Sequence, residues 1–142
     1  MKKVMSIVCG IMMMVGLMAC GAKQVQVIDC SEAEIIEISE VVMFDWDSYE
    51  IRADQMELLN SIAATMIANP DLVLVLEGHA SVEGETDYNL NLSQMRADSV
   101  KSMLMLSQVP EQNIQSSIGQ GETDIFGEIL DTNRRVMVLS VD

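Results

Sequence analysis

Arg96 is the residue whose setting most needs a chemical explanation. On a helix turning about 100° per residue, Leu92, Met95, Val100, Met103, Leu104 and Leu106 fall on one broad apolar stripe. Arg96 lies near the middle of that stripe, one turn from Leu92 and one from Val100, while Gln94, Asp98 and Lys101 fall on the other side. A guanidinium that faces a core is costly unless it is paired and hydrogen-bonded. Three arrangements satisfy it. One is an ion pair with a neighbouring carboxylate. The second is a long side chain that snorkels to the rim. The third is a pocket wall, where the guanidinium takes a ligand carboxylate in a two-bond fork.

No reaction centre can be assembled from the rest. The chain has one histidine, His79, and three cysteines, Cys9, Cys20 and Cys30. None of these pairs has metal-ligand spacing, and no nucleophile–base constellation forms around Cys30. The expectation is a binding protein rather than an enzyme, without metal or cofactor, in which His79 is a strand-end residue placed by packing. The 142 residues suffice for one domain with one core. Eight basic residues stand against 22 acidic ones, a net charge of −14. That balance disfavours nucleic acid and anionic lipid surfaces as partners. An anionic ligand must therefore be held by short local contacts.

The elements that would position Arg96 can be read in order. Residues 34–44 carry Ile36, Ile38, Val42 and Phe44 among acidic residues and read as one or two short strands, ending in a loop where Asp45 and Asp47 suit a turn. Residues 53–68 have helical spacing, with Met56, Leu59, Ile62, Ala63, Met66 and Ile67 as the core stripe, and Asn69-Pro70-Asp71 stops them. Residues 72–76 are an apolar run too short for a helix before Gly78, so they read as a buried strand. The loop that follows leads into the Arg96 helix, which ends near Val109-Pro110. Residues 113–119 offer a third strand, with Gly119 and Gly121 as the turn after it. Residues 135–141 alternate and form the last strand. This order predicts an α+β two-layer sandwich, a mixed four-stranded sheet with helices on one face (βαβαββ).

Four motifs in this order resemble the OmpA-like domain, the peptidoglycan-binding module of outer-membrane proteins and lipoproteins. F44-D45-W46-D47-S48 resembles its opening F-D-F-D-S. G78-H79 with G84, then Y88-N89 and L92-S93-Q94-M95-R96-A97, resembles its G-H-x-x-x-x-G and Y-N-x-x-L-S-x-x-R-A. G119-Q120-G121-E122 resembles its G-x-G-E, and N133-R134-R135-V136 its closing N-R-R-V. The resemblance implies that the ligand is the diaminopimelate residue of the peptidoglycan stem peptide, whose free end carries an ammonium and a carboxylate on one carbon. Arg96 matches the family's ligand arginine. Ser81 stands where the family usually has the aspartate of G-H-T-D, so this chain brings a hydroxyl instead of a charge. Glu83, Glu85, Asp87 and Asp47 are the nearby carboxylates that could stand in. Asn89 and Leu92 match positions that line the pocket; by themselves they read as a helix cap and a core residue. Asp47 sits on the loop that borders the pocket in the family. Arg134 or Arg135 can reach the site, but alternation lets only one do so, and Arg134 is preferred.

Residues 1–19 read as a targeting segment, with Lys2 and Lys3 before an apolar run too short to span a membrane. L17-M18-A19-C20 resembles the bacterial lipoprotein cleavage box, which implies a signal peptide over 1–19 and a lipid on Cys20. Gly21 after the cysteine favours the outer membrane. Residues 20–33 are then a lipidated tether reaching at most roughly 45 Å, and 34–142 the OmpA-like domain. Cys30 has no internal partner there and is either free or bridges two molecules. Two function classes result. One is an outer-membrane lipoprotein, labelled by palmitate, whose periplasmic domain holds peptidoglycan and tethers the envelope layers. The other is an OmpA-fold scaffold that binds other envelope proteins and has weakened or lost peptidoglycan recognition.

Overall fold

The computed structural model describes residues 36–124 and 130–141. The signal and tether assignments, with Cys20 and Cys30, lie outside the described residues, as does most of the loop before the last strand. The elements are β1 (Ser39–Met43), α1 (Met56–Ala68), β2 (Val73–Ala80), α2 (Thr86–Leu106), β3 (Ile114–Glu122), the short α3 (Leu130–Asn133) and β4 (Arg135–Val141). Single 3₁₀ turns at Ala53–Gln55 and Glu111–Asn113 lead into α1 and β3.

The sheet has the order β1-β4-β2-β3. β4 runs antiparallel to both β1 and β2, whereas β2 and β3 are parallel and joined through α2. This is the mixed sheet expected from the motif order. Alternation decides which face is covered. Val42, Leu74, Leu76, Val136 and Val138 point to one side and are fully buried against Leu59, Ile62, Met66, Val100 and Leu104 of the helices.

Several elements differ from the sequence reading, each for a packing reason. β2 does not stop at Leu76 but runs through Gly78 to Ala80. β3 likewise runs through Gly119 and Gly121, which are not a turn after it. Gly78 and Gly119 are register partners on adjacent strands. A Cβ at Gly78 would stand 2.0 Å from the Ser93 carbonyl oxygen, and one at Gly119 would stand 2.4 Å from the Gln94 nitrogen. The two glycines are thus a flat floor on which α2 rests closely. That contact explains why Gln94 faces the sheet rather than solvent. Its amide donates to the Ser117 carbonyl at 3.0 Å and accepts from the Gly119 N–H at 2.8 Å. Conversely, Met95 (42% exposed), Leu106 (81%) and Ile67 (53%) lie outside the core to which their spacing had assigned them.

Candidate functional site

The buried face of α2 is Asn89, Leu92, Ser93, Arg96, Ala97, Val100 and Leu104, so the helix carries a cation among its most buried side chains. Arg96 is fully buried and makes no ion pair among the described residues. Backbone carbonyls hold it instead. Nε donates to Ser48 at 2.8 Å, Nη1 to His79 at 2.9 Å and Nη2 to Asp45 at 3.1 Å. Its Cζ also stands 5.5 Å from the centre of the Phe44 ring. Burial, aided by Arg134, pushes the guanidinium pKa down to about 10, while Asp47 and Tyr88 oppose the shift. The group is charged at neutral pH. A guanidinium has five N–H donors, so these bonds leave two, one on each terminal nitrogen.

Arg96 borders a cavity of about 230 Å³ with Trp46, Asp47, Ser81, Glu83, Asn89 and Arg134 among its lining, and Leu92 also forms part of the wall. Every site residue predicted on the described chain therefore meets at one place: Arg96, Ser81, Asn89, Leu92, Asp47 and Arg134. Arg96 is neither ion-paired among the described residues nor extended to the rim; it borders the cavity while backbone carbonyls satisfy three of its donors. Arg134, just before β4, also satisfies the alternation argument. It is held by an ion pair to Asp131 and a long contact from Nε to the Phe44 carbonyl, 3.5 Å. Arg135 turns back to the Thr132 carbonyl.

Two loops supply the acidic side. Asp47 sits in a turn with φ of 51° and accepts a hydrogen bond from the Tyr88 hydroxyl. That bond raises the Tyr88 pKa, mainly by holding the phenolic proton. On the other loop, Gly84 adopts φ of 104°, a conformation that glycine reaches without steric cost, and the chain turns there after Glu83. Buried Ser81 places its Oγ 3.5 Å from Glu83 Oε2. Glu85 and Asp87 do not line the cavity.

Asn89 is not the helix cap; Glu85 occupies that position. The Asn89 amide instead donates to the Glu83 carbonyl and to Glu122 Oε1, both at 2.9 Å. It ties the acidic loop to the end of β3. The sequence reading did not single out Trp46 or Tyr88, although both lie inside the quoted motifs. Trp46 is 67% exposed and Tyr88 53%, so they form an aromatic rim at the mouth. A larger groove of about 520 Å³ runs between Tyr49–Ile51 and the outer face of α2, past Met95, Met103 and Leu106. No cation lines it, and Glu50 and Asp98 do, so it has no charged partner for a carboxylate.

Comparison with known proteins finds relatives in both sequence and fold. Residues 43–129 match the OmpA family. A peptidoglycan-associated lipoprotein of Pasteurella multocida is 34% identical over 87 residues, 61% of this chain and 53% of its own length. The protein of the same name from Haemophilus influenzae is 34% identical over 74 residues, 52% of this chain and 48% of its own. The chain thus spans about half the length of the curated relatives it matches. Among solved structures, the peptidoglycan-associated lipoprotein from Burkholderia pseudomallei superposes with a TM-score of 0.66 at 25% identity, covering 71% of this chain and 89% of that one.

Proposed function

This chain belongs to the OmpA family, and on that premise we propose that it binds peptidoglycan non-covalently through the diaminopimelate stem peptide and tethers the wall to the outer membrane. One observation carries the reading: a fully buried arginine with two N–H donors left over, on the wall of an open cavity, with no carboxylate among the described residues in an ion pair with it. A buried guanidinium that the fold has not neutralised suits a ligand that brings the anion. The cavity of about 230 Å³ is the size for an amino-acid head rather than a whole peptide. In this assignment Arg96 takes the ligand carboxylate and Arg134 adds positive field. Asn89 and Leu92 shape the wall, and Asp47 borders the mouth.

The names of the relatives support the same reading, since those proteins are called peptidoglycan-associated lipoproteins. The division into a signal peptide at 1–19, a tether at 20–33 lipidated on Cys20 and a binding domain at 34–142 is part of this proposal. Two or three acyl chains would give a durable hold on the membrane where one would not.

Isolated diaminopimelate-type sacculi test it. The full chain should sediment with them and be released by free meso-diaminopimelate. Arg96→Lys keeps the charge but cannot present two parallel N–H groups, and it should remain in the supernatant while melting as a folded protein. Failure of the unmutated chain to sediment, or equal sedimentation of both, would contradict the assignment. Palmitate labelling that persists in Cys20→Ala would refute the lipid site. The second reading, a partner-binding module without wall recognition, draws on Ser81 in place of the usual aspartate; it predicts no sedimentation at all.

A further inference from the structure

The ligand end that Arg96 would hold also carries an ammonium, and Ser81 has no charge to meet it. We propose that Glu83 supplies that anion, so that the pocket reads a zwitterionic amino-acid centre with Arg96 on the carboxylate and Glu83 on the ammonium. The inference rests on the wall-binding reading and deepens it.

Three observations single out Glu83 from the nearby carboxylates. First, Glu83 is among the residues that line the Arg96 cavity, and Glu85 and Asp87 are not. Second, its carboxylate is only lightly engaged, by a long contact from the Ser81 hydroxyl. It makes no ion pair among the described residues, and the 3.5 Å from Ser81 Oγ is longer than an ordinary hydroxyl bond. Asp47, the other carboxylate on the wall, already accepts the Tyr88 hydroxyl and lies within the field of Arg96. Third, the backbone of Glu83 is fixed although its side chain is exposed. Its carbonyl accepts from Asn89 at 2.9 Å, and the turn at Gly84 follows directly. A carboxylate two residues along the loop thus reaches the cavity that residue 81 borders, and the Ser81 hydroxyl steadies it when a cation draws it inward. The charge has moved along the loop rather than disappeared.

The test titrates the full chain with two muropeptides. One ends in meso-diaminopimelate. The other carries 2-aminopimelate, which lacks the distal amine and keeps the distal carboxylate. Losing a hydrogen bond to a charged group changes affinity by about tenfold or more. The unmutated chain should therefore bind the first peptide about tenfold more tightly than the second. Glu83→Gln should remove most of that preference by weakening the first peptide much more than the second. Ser81→Asp placed on Glu83→Gln should restore it. Asp47→Asn, on the same wall, should shift affinity for the two peptides alike and so keep the preference between them. A preference that survives Glu83→Gln while Arg96→Lys abolishes binding would overturn this proposal and leave the wall-binding reading standing. A preference lost in Asp47→Asn instead would assign the anion to Asp47 and likewise overturn it. If the unmutated chain binds neither peptide, the wall-binding reading falls and this inference with it.

Discussion

Arg96 Nη1 donates to the carbonyl oxygen of His79 at 2.9 Å, and so joins the middle of α2 to the end of β2 two residues before Ser81. With the bonds to Ser48 and Asp45, this contact holds the guanidinium in place before any ligand arrives. A cation oriented in advance loses little freedom on binding, which favours affinity.

The same bonds make Arg96 structural. Arg96→Met keeps most of the packing but leaves three carbonyls without their donors, each a loss of about 1–3 kcal/mol where water cannot replace it. Removing a buried charge offsets part of that. The expected net loss is about 2–4 kcal/mol, measured as a lower urea midpoint. A midpoint equal to that of the unmutated chain would show that the carbonyls are met by water.

Gly78 carries the approach of α2 to the sheet. With the added Cβ 2.0 Å from the Ser93 carbonyl, a backbone atom that cannot rotate away, Gly78→Ala must lift the helix. The loss should be at least about 3 kcal/mol. The helix would also carry Arg96 away from the His79 carbonyl, so binding should fall in whatever fraction remains folded. Thermal melts by circular dichroism measure the first effect; a variant as stable as the parent would contradict the packing described.

Asn89 bridges the Glu83 carbonyl and Glu122. Asn89→Ala should lower stability by about 1 kcal/mol and loosen residues 81–85. Amide hydrogen exchange should accelerate more in that loop than in β1 and β4, which follow only the global loss. Uniform acceleration would mean that Asn89 supports the whole fold instead.

His79 sets a pH dependence. Burial pushes its imidazole below the ordinary value of about 6.5; Arg135 adds to the shift and Glu77 opposes it. Above about 6.5 both the folded and the unfolded chain are neutral there, and the histidine adds no slope. As pH falls through that value the unfolded chain takes up the proton first, so stability is lost until the folded imidazole protonates as well. Urea midpoints should fall between pH 7.5 and 5.5, and His79→Gln should flatten that interval. An unchanged slope in the variant would place the titration elsewhere.

Much of this was legible in the residues. Arg96 stood out because a cation occupied an apolar stripe, and the paired glycines and the N-R-R-V ending fixed the motif order. Other features were not. Amphipathic spacing puts polar residues outside, yet Gln94 and Ser93 face the sheet because two glycines below them leave room for backbone-level bonds. Glycine reads locally as a turn, and only the approach of a distant helix shows that Gly78 and Gly119 are needed in extended strands. Asn89 resembles a cap because its partner Glu122 is 33 residues away, a distance that no local pattern reveals. Met95 and Leu106 read as core by hydropathy, but the helix turns them toward the exterior groove.

The most direct test of the central claim uses Trp46, the single tryptophan of the chain, exposed on the wall of the Arg96 cavity. Titrating the full chain with a meso-diaminopimelate muropeptide should shift Trp46 emission to shorter wavelength in a saturable way, and Arg96→Lys should abolish the response. Emission that does not move, or that moves equally in the Arg96→Lys protein, would contradict binding at this pocket.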